Sequence, residues 1–452
     1  MQVGRFTFSG DAPFGGSGLD DAKRANVPSK PEYFKNRIAA EGSSLSVKDA
    51  VELVESKWLK EDSVEKVTKF VAEDLSSIQG GERNAARSPT SVVSFDASLS
   101  KKIDELSADD EVNVAKVTPD RIYSVACHPS KEKLIVCGGD KLGYVGMWNV
   151  DDESEGHGVH LFRAHGRPVS CLSWAPSGCS LLSASYDGSV RRFDVESQTF
   201  QEIFATYDDD ESRQGYLGSG LDQGYNYWTQ YVCPDPRNAS EQCFFMSTSL
   251  GTAMHVDLRV GKISFHEQLS EKKINTLSLH RNGHTLASAG LDCSVRLFDI
   301  RKFHDNRKRK GKGPTALAIQ HAGKSVNSAF FSPSGNALLS TTMANTLDIT
   351  KDAHLVSNNE NLKATKRVSH DNHTGRWLTT FMAQWHPSLD IFVVGSMKRP
   401  RCIELYDSEG KQLRAIEGEA LTAVASRCCF HPSVDKLVVV GGNSSGRMTV
   451  LR

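Results

Sequence analysis

Short apolar runs of strand length recur along the chain, and seven of them end in a turn marked by proline or glycine. These turns lie at residues 128–130, 175–178, 233–235, 280–283, 332–335, 386–388 and 431–433. The second residue of each turn is separated from that of the next by 47, 58, 47, 52, 54 and 45 residues. A repeat of about 40 to 50 residues is typical of β-propellers, in which one unit forms one four-stranded blade.

The second unit shows the strand pattern most clearly. Between residues 169 and 194, three β-rich runs are separated by turns, and Asp187-Gly188 suits a tight hairpin because both residues tolerate a positive φ. The fourth unit repeats this pattern and also ends on an aromatic residue followed by aspartate, at Phe298-Asp299. Such ends are typical of WD repeats. We therefore predict an all-β fold, a seven-bladed WD-repeat β-propeller with a partly disordered, partly helical N-terminal extension.

Residues 112–452 are predicted to form the propeller. The seventh unit has only three strand-like runs, and an alternating run at residues 112–117 directly precedes the first unit. We expect that run to supply the fourth strand of the seventh blade, because a closed ring leaves only short, protected strand edges.

The N-terminal part of the chain has a different pattern. Residues 1–45 are expected to be disordered. Apolar residues at helical spacing predict helices over 47–59 and 64–78, with Ser46 as the N-cap of the first and Asp49 as its capping-box partner. This hairpin either packs on its own propeller or itself, or is a docking arm for a partner. Residues 79–111 are expected to be a linker.

Composition sets further limits. No run approaches the length of a membrane span, the N-terminus has no apolar signal segment, and ten cysteines show no Cys-x-x-Cys spacing. We expect buried thiols in a reducing compartment, and no contact with a membrane. The net charge of −1 is unevenly divided: residues 1–112 hold 15 Lys+Arg and 20 Asp+Glu, which leaves 39 and 35 for the remainder.

Basic residues gather at one end of the predicted propeller. They lie in loops that join consecutive blades and in turns of the middle hairpins, which emerge at the same end. The positions are Arg121, Arg167, Lys272, Lys273, Lys324 and Arg376 between blades, and Lys141, Lys398, Arg399, Arg401 and Arg447 in hairpins. A basic rim can follow a phosphate backbone, whereas the alternative is an ordinary solvated face.

Catalytic chemistry has little support in the sequence. We find no P-loop, no nucleophile–base ordering and no clustered carboxylate pair, and His280 and His284 lack nearby metal-ligand spacing. We expect no enzyme activity, no cofactor and no metal. The basic run at residues 307–312 is either a nuclear import signal or a phosphate-binding flap.

Several segments resemble the small subunit of the UV-damaged-DNA-binding complex. They lie at residues 291–301, 326–333 and 373–387. The run Thr118-Pro-Asp-Arg-Ile-Tyr-Ser, taken with Thr374-Gly-Arg-Trp-Leu-Thr, is closer to the "changed mutation rate" WD-repeat family, which is related to that subunit. The resemblance covers roughly residues 112–452, is specific at 370–387, and excludes the N-terminal extension.

The resemblance implies a DNA-binding surface. In the damage-binding relative, the loop that matches residues 370–377 probes the minor groove and wedges into the lesion; the wedge positions fall here on Gly375, Arg376 and Trp377. This triplet differs from the relative's aromatic–amide–imidazole triplet, so DNA affinity is implied and lesion preference is not. The alternative is that Trp377 packs at the start of the sixth blade. The accompanying phosphate contacts are expected to be Lys272, Lys273, Lys324, Lys398, Arg399 and Arg401.

The resemblance also implies a partner surface at the opposite end. In WD-repeat receptors of the cullin-4 ubiquitin ligase, an arginine in an Asp-x-Arg tripeptide contacts the adaptor. This chain has Asp299-x-Arg301 and Asp257-x-Arg259, each predicted to end the third strand of a blade. The alternative for each arginine is an ion pair within its blade.

We therefore expect a non-enzymatic nuclear DNA-binding WD-repeat protein of the DNA damage response, with a cullin-4 substrate receptor as its more specific form. Its DNA would be damaged or general duplex, and the propeller would be monomeric, in the nucleus and also in the cytoplasm. The alternative is a protein-interaction scaffold on chromatin, with histone or chaperonin partners and no direct DNA contact.

Overall fold

Seven β-sheets follow one another in the computed structural model, which confirms the seven-bladed propeller. The structure describes residues 44–54, 57, 63–76, 97–108, 113–152, 158–206, 227–238, 240–303, 313–356 and 360–452. The predicted basic run at 307–312 and most of the predicted disordered tail lie outside the described residues. Among the described residues, no helix combines the length and apolar character needed to cross a bilayer.

Each blade is an antiparallel sheet of four strands, and the first strands of neighbouring blades contact one another. Blades 1 to 3 comprise Ile122–Cys127, Ile135–Asp140, Val145–Asn149 and Val159–Phe162; Val169–Trp174, Ser180–Ser185, Ser189–Asp194 and Thr199–Ala205; and Thr229–Pro234, Cys243–Thr248, Thr252–Asp257 and Lys262–Gln268. Blades 4 and 5 comprise Ile274–Leu279, Thr285–Gly290, Ser294–Asp299 and Ala318–His321; and Val326–Phe331, Ala337–Thr342, Thr346–Lys351 and Lys366–Ser369. Blades 6 and 7 comprise Gln384–Trp385, Ile391–Gly395, Cys402–Asp407 and Gln412–Glu417; and Ala425–Phe430, Val439–Asn443, Arg447–Leu451 and Val114–Lys116.

The connections define two ends of the propeller. We call the end that carries the inter-blade loops and the turns between second and third strands the upper face; it includes Arg121 and Arg376. The lower face carries the remaining turns and includes Arg301.

The ring is closed by the strand that the sequence predicts. Val114–Lys116 pairs antiparallel with the third strand of blade 7, so that Val114 lies opposite Thr449 and Lys116 opposite Arg447. The approach is close: a Cβ atom added to Gly446, whose φ is +81°, would lie 2.0 Å from the carbonyl oxygen of Thr118. Glycine is therefore required where the first and last segments of the propeller meet.

A buried polar cluster fixes the upper face of blade 2. The Nδ1 atom of His165, in the inter-blade loop, lies 3.1 Å from Oδ2 of Asp187, and its Nε2 atom lies 2.8 Å from Oγ of Ser183. Ser189 donates to Asp187 at 2.6 Å. The loop before the blade and its middle hairpin are thereby held together.

The N-terminal extension packs on its own propeller. Ser44–Ser46 forms a fifth strand on blade 2, and the helix Val47–Glu52 follows, with Ser46 accepting a hydrogen bond from the Asp49 amide. A second helix, Ser63–Lys69, continues as the π-helix Phe70–Leu75. The first helix is shorter than predicted, and the end predicted for the second lies outside the described residues. Their apolar side chains join the core of blades 1 and 2, and Phe70 stacks on His160 at 4.0 Å. Of the two alternatives for this hairpin, the structure has the packed one.

One helix lies where we predicted a linker. Ala97–Glu105 buries Leu99 and Ile103 in the core of blades 6 and 7, and Lys102 donates to the carbonyl oxygen of Val434 at 2.9 Å. The linker prediction is therefore wrong over these residues. A short strand, Glu360–Asn361, was also not predicted; it pairs in parallel with the last strand of blade 4.

Candidate nucleic-acid interface

The loop that joins blades 5 and 6, residues 370–383, is anchored at its start to blade 5. The side-chain amide of Asn372 donates to the carbonyl oxygens of Thr342 at 2.9 Å and Thr346 at 3.2 Å. The backbone amide of Asn372 donates to the side chain of Asn345 at 3.1 Å. These bonds fix the loop to the hairpin beside it.

The far part of the 370–383 loop reaches across to blade 1. The Thr379 hydroxyl donates to the carbonyl oxygen of Ile122 at 2.5 Å, and the Arg121 guanidinium donates to the carbonyl oxygen of Arg376 at 2.8 Å. Blade 7 separates blades 6 and 1 in the ring, so the loop passes over the upper face instead of turning directly into its own blade.

The tip of this loop presents an exposed aromatic side chain. Trp377 is 74% exposed, and the guanidinium carbon of Arg376 lies 4.7 Å from the centroid of its ring. Gly375 has a φ of +60° and nothing within 4 Å of an added Cβ atom. The alternative of Trp377 as a packing residue does not agree with this exposure. The three predicted wedge residues instead stand together on a loop held at both sides.

A polar cleft lies behind the tip, and sequence reasoning did not identify its aromatic side. Arg121, Arg376 and Arg427 line it together with Tyr123 and Tyr186. Three partly exposed rings form an arc there: the centroids of Tyr123 and Tyr186 are 6.1 Å apart, and those of Tyr186 and Trp228 are 5.2 Å apart. Each ring lies within a few residues of an inter-blade loop or a hairpin turn, and that position is the signal that could have revealed it.

Three of the predicted phosphate contacts are exposed on the upper face. Lys272, Lys324 and Arg399 lie in two inter-blade loops and in the middle hairpin of blade 6. None of them forms an ion pair with another residue that the structure describes. Their charges are therefore available to an anionic partner.

The other three predicted phosphate contacts are either buried or bonded to groups of the protein itself. Lys273 is only 4% exposed, so its prediction as a surface contact is not supported by the structure. Arg401 donates to the carbonyl oxygen of Met397 at 2.8 Å and so braces its own hairpin. Lys398 pairs with the buried carboxylate of Glu404 at 2.7 Å.

The pairing of Lys398 with Glu404 shifts the pKa of both side chains. Burial by itself raises the pKa of Glu404, but hydrogen bonds from Lys398 and Tyr406 outweigh it, and the pKa is lowered. The pKa of Lys398 is raised because its ammonium group donates to Glu404. Lys398 is therefore charged, but its charge is already engaged.

On the lower face, the two Asp-x-Arg tripeptides form the ion pairs that were the alternative prediction. Arg301 grips Asp299 through Nε at 2.9 Å and Nη2 at 2.7 Å. Arg259 holds Asp257 in the same manner, at 3.0 and 2.6 Å. The arginine side chains remain 65% and 55% exposed. Their hydrogen bonds lower the pKa of both aspartates. The ion pairs thus fix the direction of the guanidinium groups without covering them.

A third pair of this kind escaped the sequence reasoning. Asp235 accepts bonds from Nε and Nη2 of Arg237 at 2.9 and 2.7 Å, and from His255 at 2.9 Å. It lies at the turn after the first strand of blade 3, whereas the other two pairs lie at the ends of third strands.

Exposed apolar side chains accompany the lower-face arginines. Val260 follows Arg259 directly and is 61% exposed, and Leu355, in blade 5 beside Arg301's blade 4, is 72% exposed.

No group of three or more His, Cys, Asp or Glu side chains within the described part of the chain is arranged to hold a metal ion.

The seven sheets arranged in a closed ring and the repeated aspartate turns define a WD-repeat β-propeller. Proteins of this class typically act as non-enzymatic scaffolds. The family described as WD domain, G-beta repeat matches residues 156–194 and 259–299, which cover much of blade 2 and the first three strands of blade 4. These are the two units in which the sequence pattern is clearest.

Among its relatives, WD repeat-containing protein 76 of Xenopus laevis is 36% identical over 352 residues, 75% of this chain and 54% of the relative. The mouse protein of that name is 34% identical over 367 residues, 80% of this chain and 53% of the relative. DNA damage-binding protein CMR1 of Phaeosphaeria nodorum is 31% identical over 375 residues, 76% of this chain and 67% of the relative. The chain belongs to the WD-repeat family of these proteins, as its resemblance to the "changed mutation rate" family predicted. It spans about half the length of the WD repeat-containing protein 76 relatives.

Proposed function

We propose that this chain is a non-enzymatic nuclear WD-repeat protein that binds duplex DNA through its upper face and acts in the DNA damage response. The observation that carries the proposal is Trp377, exposed to 74% on a loop anchored to blades 5 and 1 and flanked by Arg376. Relatives named DNA damage-binding protein CMR1 support it.

The chemistry of the upper face suits a nucleic acid. Lys272, Lys324 and Arg399 would contact phosphates, and the release of counterions would make binding salt-dependent. Trp377 would stack on a base or wedge between base steps, which is worth roughly 1 to 3 kcal/mol per stacked base. Arg376 suits a narrow, electronegative minor groove.

Fluorescence anisotropy with duplex DNA at several salt concentrations tests this proposal. Trp377→Ala should weaken binding by roughly 1 to 3 kcal/mol with little change in the salt slope. Lys324→Ala should weaken binding to all sequences alike and reduce the slope by about one. The matched controls are Leu355→Ala and Lys411→Ala, an exposed apolar residue and an exposed lysine on the lower face.

If all four variants bind like the wild type, the upper face is not the DNA interface. Weak wild-type binding without salt dependence would instead favour the scaffold function, with histone or chaperonin partners. Lesion-containing and undamaged duplexes, measured side by side, would show whether the Gly375-Arg376-Trp377 triplet has any lesion preference.

The lower face favours a second candidate function, that of a substrate receptor docked on the adaptor of a cullin-4 ubiquitin ligase. Its support is the pair of exposed, aspartate-oriented arginines, Arg259 and Arg301, accompanied by exposed Val260 and Leu355. Arginine is one of the residues enriched in binding hot spots. Because this face is opposite the upper face, DNA and adaptor could bind together.

Copurification of the adaptor tests the receptor proposal. Arg301→Ala should reduce the adaptor recovered, and Arg259→Ala should do so to a smaller extent. Arg237→Ala is the matched control, because it removes an arginine paired with aspartate on the same face, at a different turn. Full recovery with Arg301→Ala, or equal loss with Arg237→Ala, would exclude this docking mode.

A further inference from the structure

Two cysteines meet where the propeller ring closes. Cys127 is the last residue in the first strand of blade 1, and Cys429 lies in the first strand of blade 7. Their sulfur atoms are 3.5 Å apart, although 302 positions separate them in sequence. This contact joins the two blades that come from opposite ends of the folded domain.

The strands that carry these cysteines lie side by side. The first strands of blades 7 and 1 bring Cα atoms within 8 Å of each other. A disulfide requires a Cα separation of about 4.4 to 6.8 Å, and adjacent strands are the elements that can supply one where two cysteines face each other. Cys127 packs in one core cluster with Val136 and Val440, and the partly buried Cys429 packs against that cluster. The sulfur atoms are thus already neighbours, at a separation that must shorten to about 2.05 Å for a bond to form.

The neighbouring cysteine on the same strand faces elsewhere. The Sγ atom of Cys428 lies 3.4 Å from the carbonyl oxygen of Ala425, and its side chain packs in the core shared by blades 6 and 7. Successive strand residues point to opposite sides, so Cys429 is the member of this pair that meets Cys127.

We propose that Cys127 and Cys429 are a modification site, at which a peroxide-class oxidant forms a disulfide that closes the propeller covalently. Cys429 is partly exposed and Cys127 is buried, so Cys429 is the residue that the oxidant reaches. Its sulfur attacks the O–O bond of hydrogen peroxide, becomes a sulfenic acid and releases one water. The sulfur of Cys127 then displaces the hydroxyl group, which leaves as a second water with the thiol proton. Two thiols are oxidised and one peroxide is reduced.

The environment of the two groups agrees with this order. The pKa of Cys127 is raised well above its usual range by its hydrogen bond with Cys429 and by burial, so it stays a thiol until the sulfenic acid has formed. Burial also raises the pKa of Cys137, to about 12, so Cys137, like Cys127, is not the sulfur that the oxidant attacks first.

A disulfide at this position would restrain nearly the whole propeller. A cross-link stabilises mainly by restricting the unfolded chain, and its effect grows with the length of the closed loop. Here the loop contains almost all seven blades, and the ring is otherwise closed by non-covalent contacts, which include a three-residue strand and the core shared by blades 7 and 1. The oxidised protein should therefore unfold at a temperature several degrees higher than the reduced protein.

Limited peroxide treatment of the reduced protein, followed by non-reducing peptide mass spectrometry, tests the proposal. We expect a linked peptide pair containing Cys127 and Cys429, the loss of two of the ten thiols, and recovery of both by dithiothreitol. Cys429→Ser and Cys127→Ser should each abolish the linked pair, whereas Cys428→Ser should retain it. Oxidation should raise the melting temperature of the wild type and of Cys428→Ser, and should not raise that of Cys127→Ser or Cys429→Ser.

Three results would overturn the proposal: no linked pair in the wild type at one equivalent of peroxide, linkage of Cys127 to Cys137 in its place, or loss of the pair in Cys428→Ser. The melting temperatures of the reduced variants control for folding. If Cys429→Ser is unfolded when reduced, Cys429→Ala serves in its place, because Cys127 retains an apolar neighbour.

Discussion

The side chains of the upper face show how far single residues can be predicted. The family resemblance and the basic inter-blade loop predict Trp377 and Arg376 as site residues, and both are exposed at the tip of the 370–383 loop. Lys273 could not be distinguished from its neighbour Lys272, because burial of one lysine and exposure of the next depend on where the strand begins. The Tyr123–Tyr186–Trp228 arc was missed since its members come from three blades.

The stacking of Arg376 on Trp377 leads to a prediction at this scale. Arg376→Lys keeps the positive charge but loses the planar group that lies on the ring, and a lysine does not replace an arginine at a stacked site. We expect DNA affinity to fall by about 0.5 to 1 kcal/mol, the usual value of an exposed cation–π contact, with an unchanged salt slope. Anisotropy titrations measure both quantities. An unchanged affinity would mean that Arg376 acts through its charge alone, and Lys324→Arg is the matched control.

At the scale of elements, periodicity located the blades but not the pieces that decorate them. The two N-terminal helices were predicted over 47–59 and 64–78, and the first ends at Glu52. The helix Ala97–Glu105 could not be predicted because it is short and only two of its side chains, Leu99 and Ile103, are buried. The added strands Ser44–Ser46 and Glu360–Asn361 are too short for any alternation to show, and they exist only because an existing sheet edge accepts them.

The turn histidines that define the repeat also connect neighbouring blades. In His128 and His386, Nδ1 accepts a hydrogen bond from the amide two residues later, at 3.1 and 3.0 Å. Their Nε2 atoms lie 3.1 and 3.4 Å from carbonyl oxygens of the next blade, on Gly178 and Ser433. A carbonyl can only accept, so each ring must be neutral with its proton on Nε2.

These turns predict acid sensitivity. Burial lowers the pKa of His128 and His386 to about 4 from 6.5. A histidine with a lowered pKa favours the folded state fully above pH 6.5 and loses that contribution as the pH falls towards 4. We expect these two histidines to leave the melting temperature unchanged near neutral pH and to lower it as the pH falls from 6.5 towards 4.

Thermal denaturation in buffers of constant ionic strength measures this effect. His128→Gln should reduce the slope of melting temperature against pH, because its amide cannot titrate. His373→Gln, an exposed histidine in the 370–383 loop, should leave the slope unchanged. A melting temperature independent of pH over this range would contradict the role given to the turns.

At the scale of the whole molecule, the ring is closed by pieces distant in sequence. The number of blades and the closing strand follow from counting turns, and both could be predicted. The positions of the N-terminal helices on blades 1 and 2 could not, because amphipathic helices match an apolar face inside the molecule as well as one on a partner. Only the packed structure shows which face is used.

Stepwise truncation separates the contributions of these pieces. A chain that begins at residue 97 loses the packed extension that contains Val51, Phe70 and Leu75, and uncovers their apolar partners on blades 1 and 2. Truncation of a single such large side chain to alanine typically costs about 2 to 5 kcal/mol, so this chain should melt at a clearly lower temperature yet retain its β-sheet circular dichroism.

A chain that begins at residue 118 also loses Val114–Lys116 and leaves the third strand of blade 7 as an open edge. Unpaired edges promote association between chains, so this second chain should aggregate on light scattering, whereas the first should remain monomeric. A chain that begins at residue 107 keeps the closing strand but lacks the helix Ala97–Glu105, and it is the control for the loss of everything before the closing strand. If the chain that begins at 118 melts like the one that begins at 107 and stays monomeric, the three-residue strand does not hold the ring.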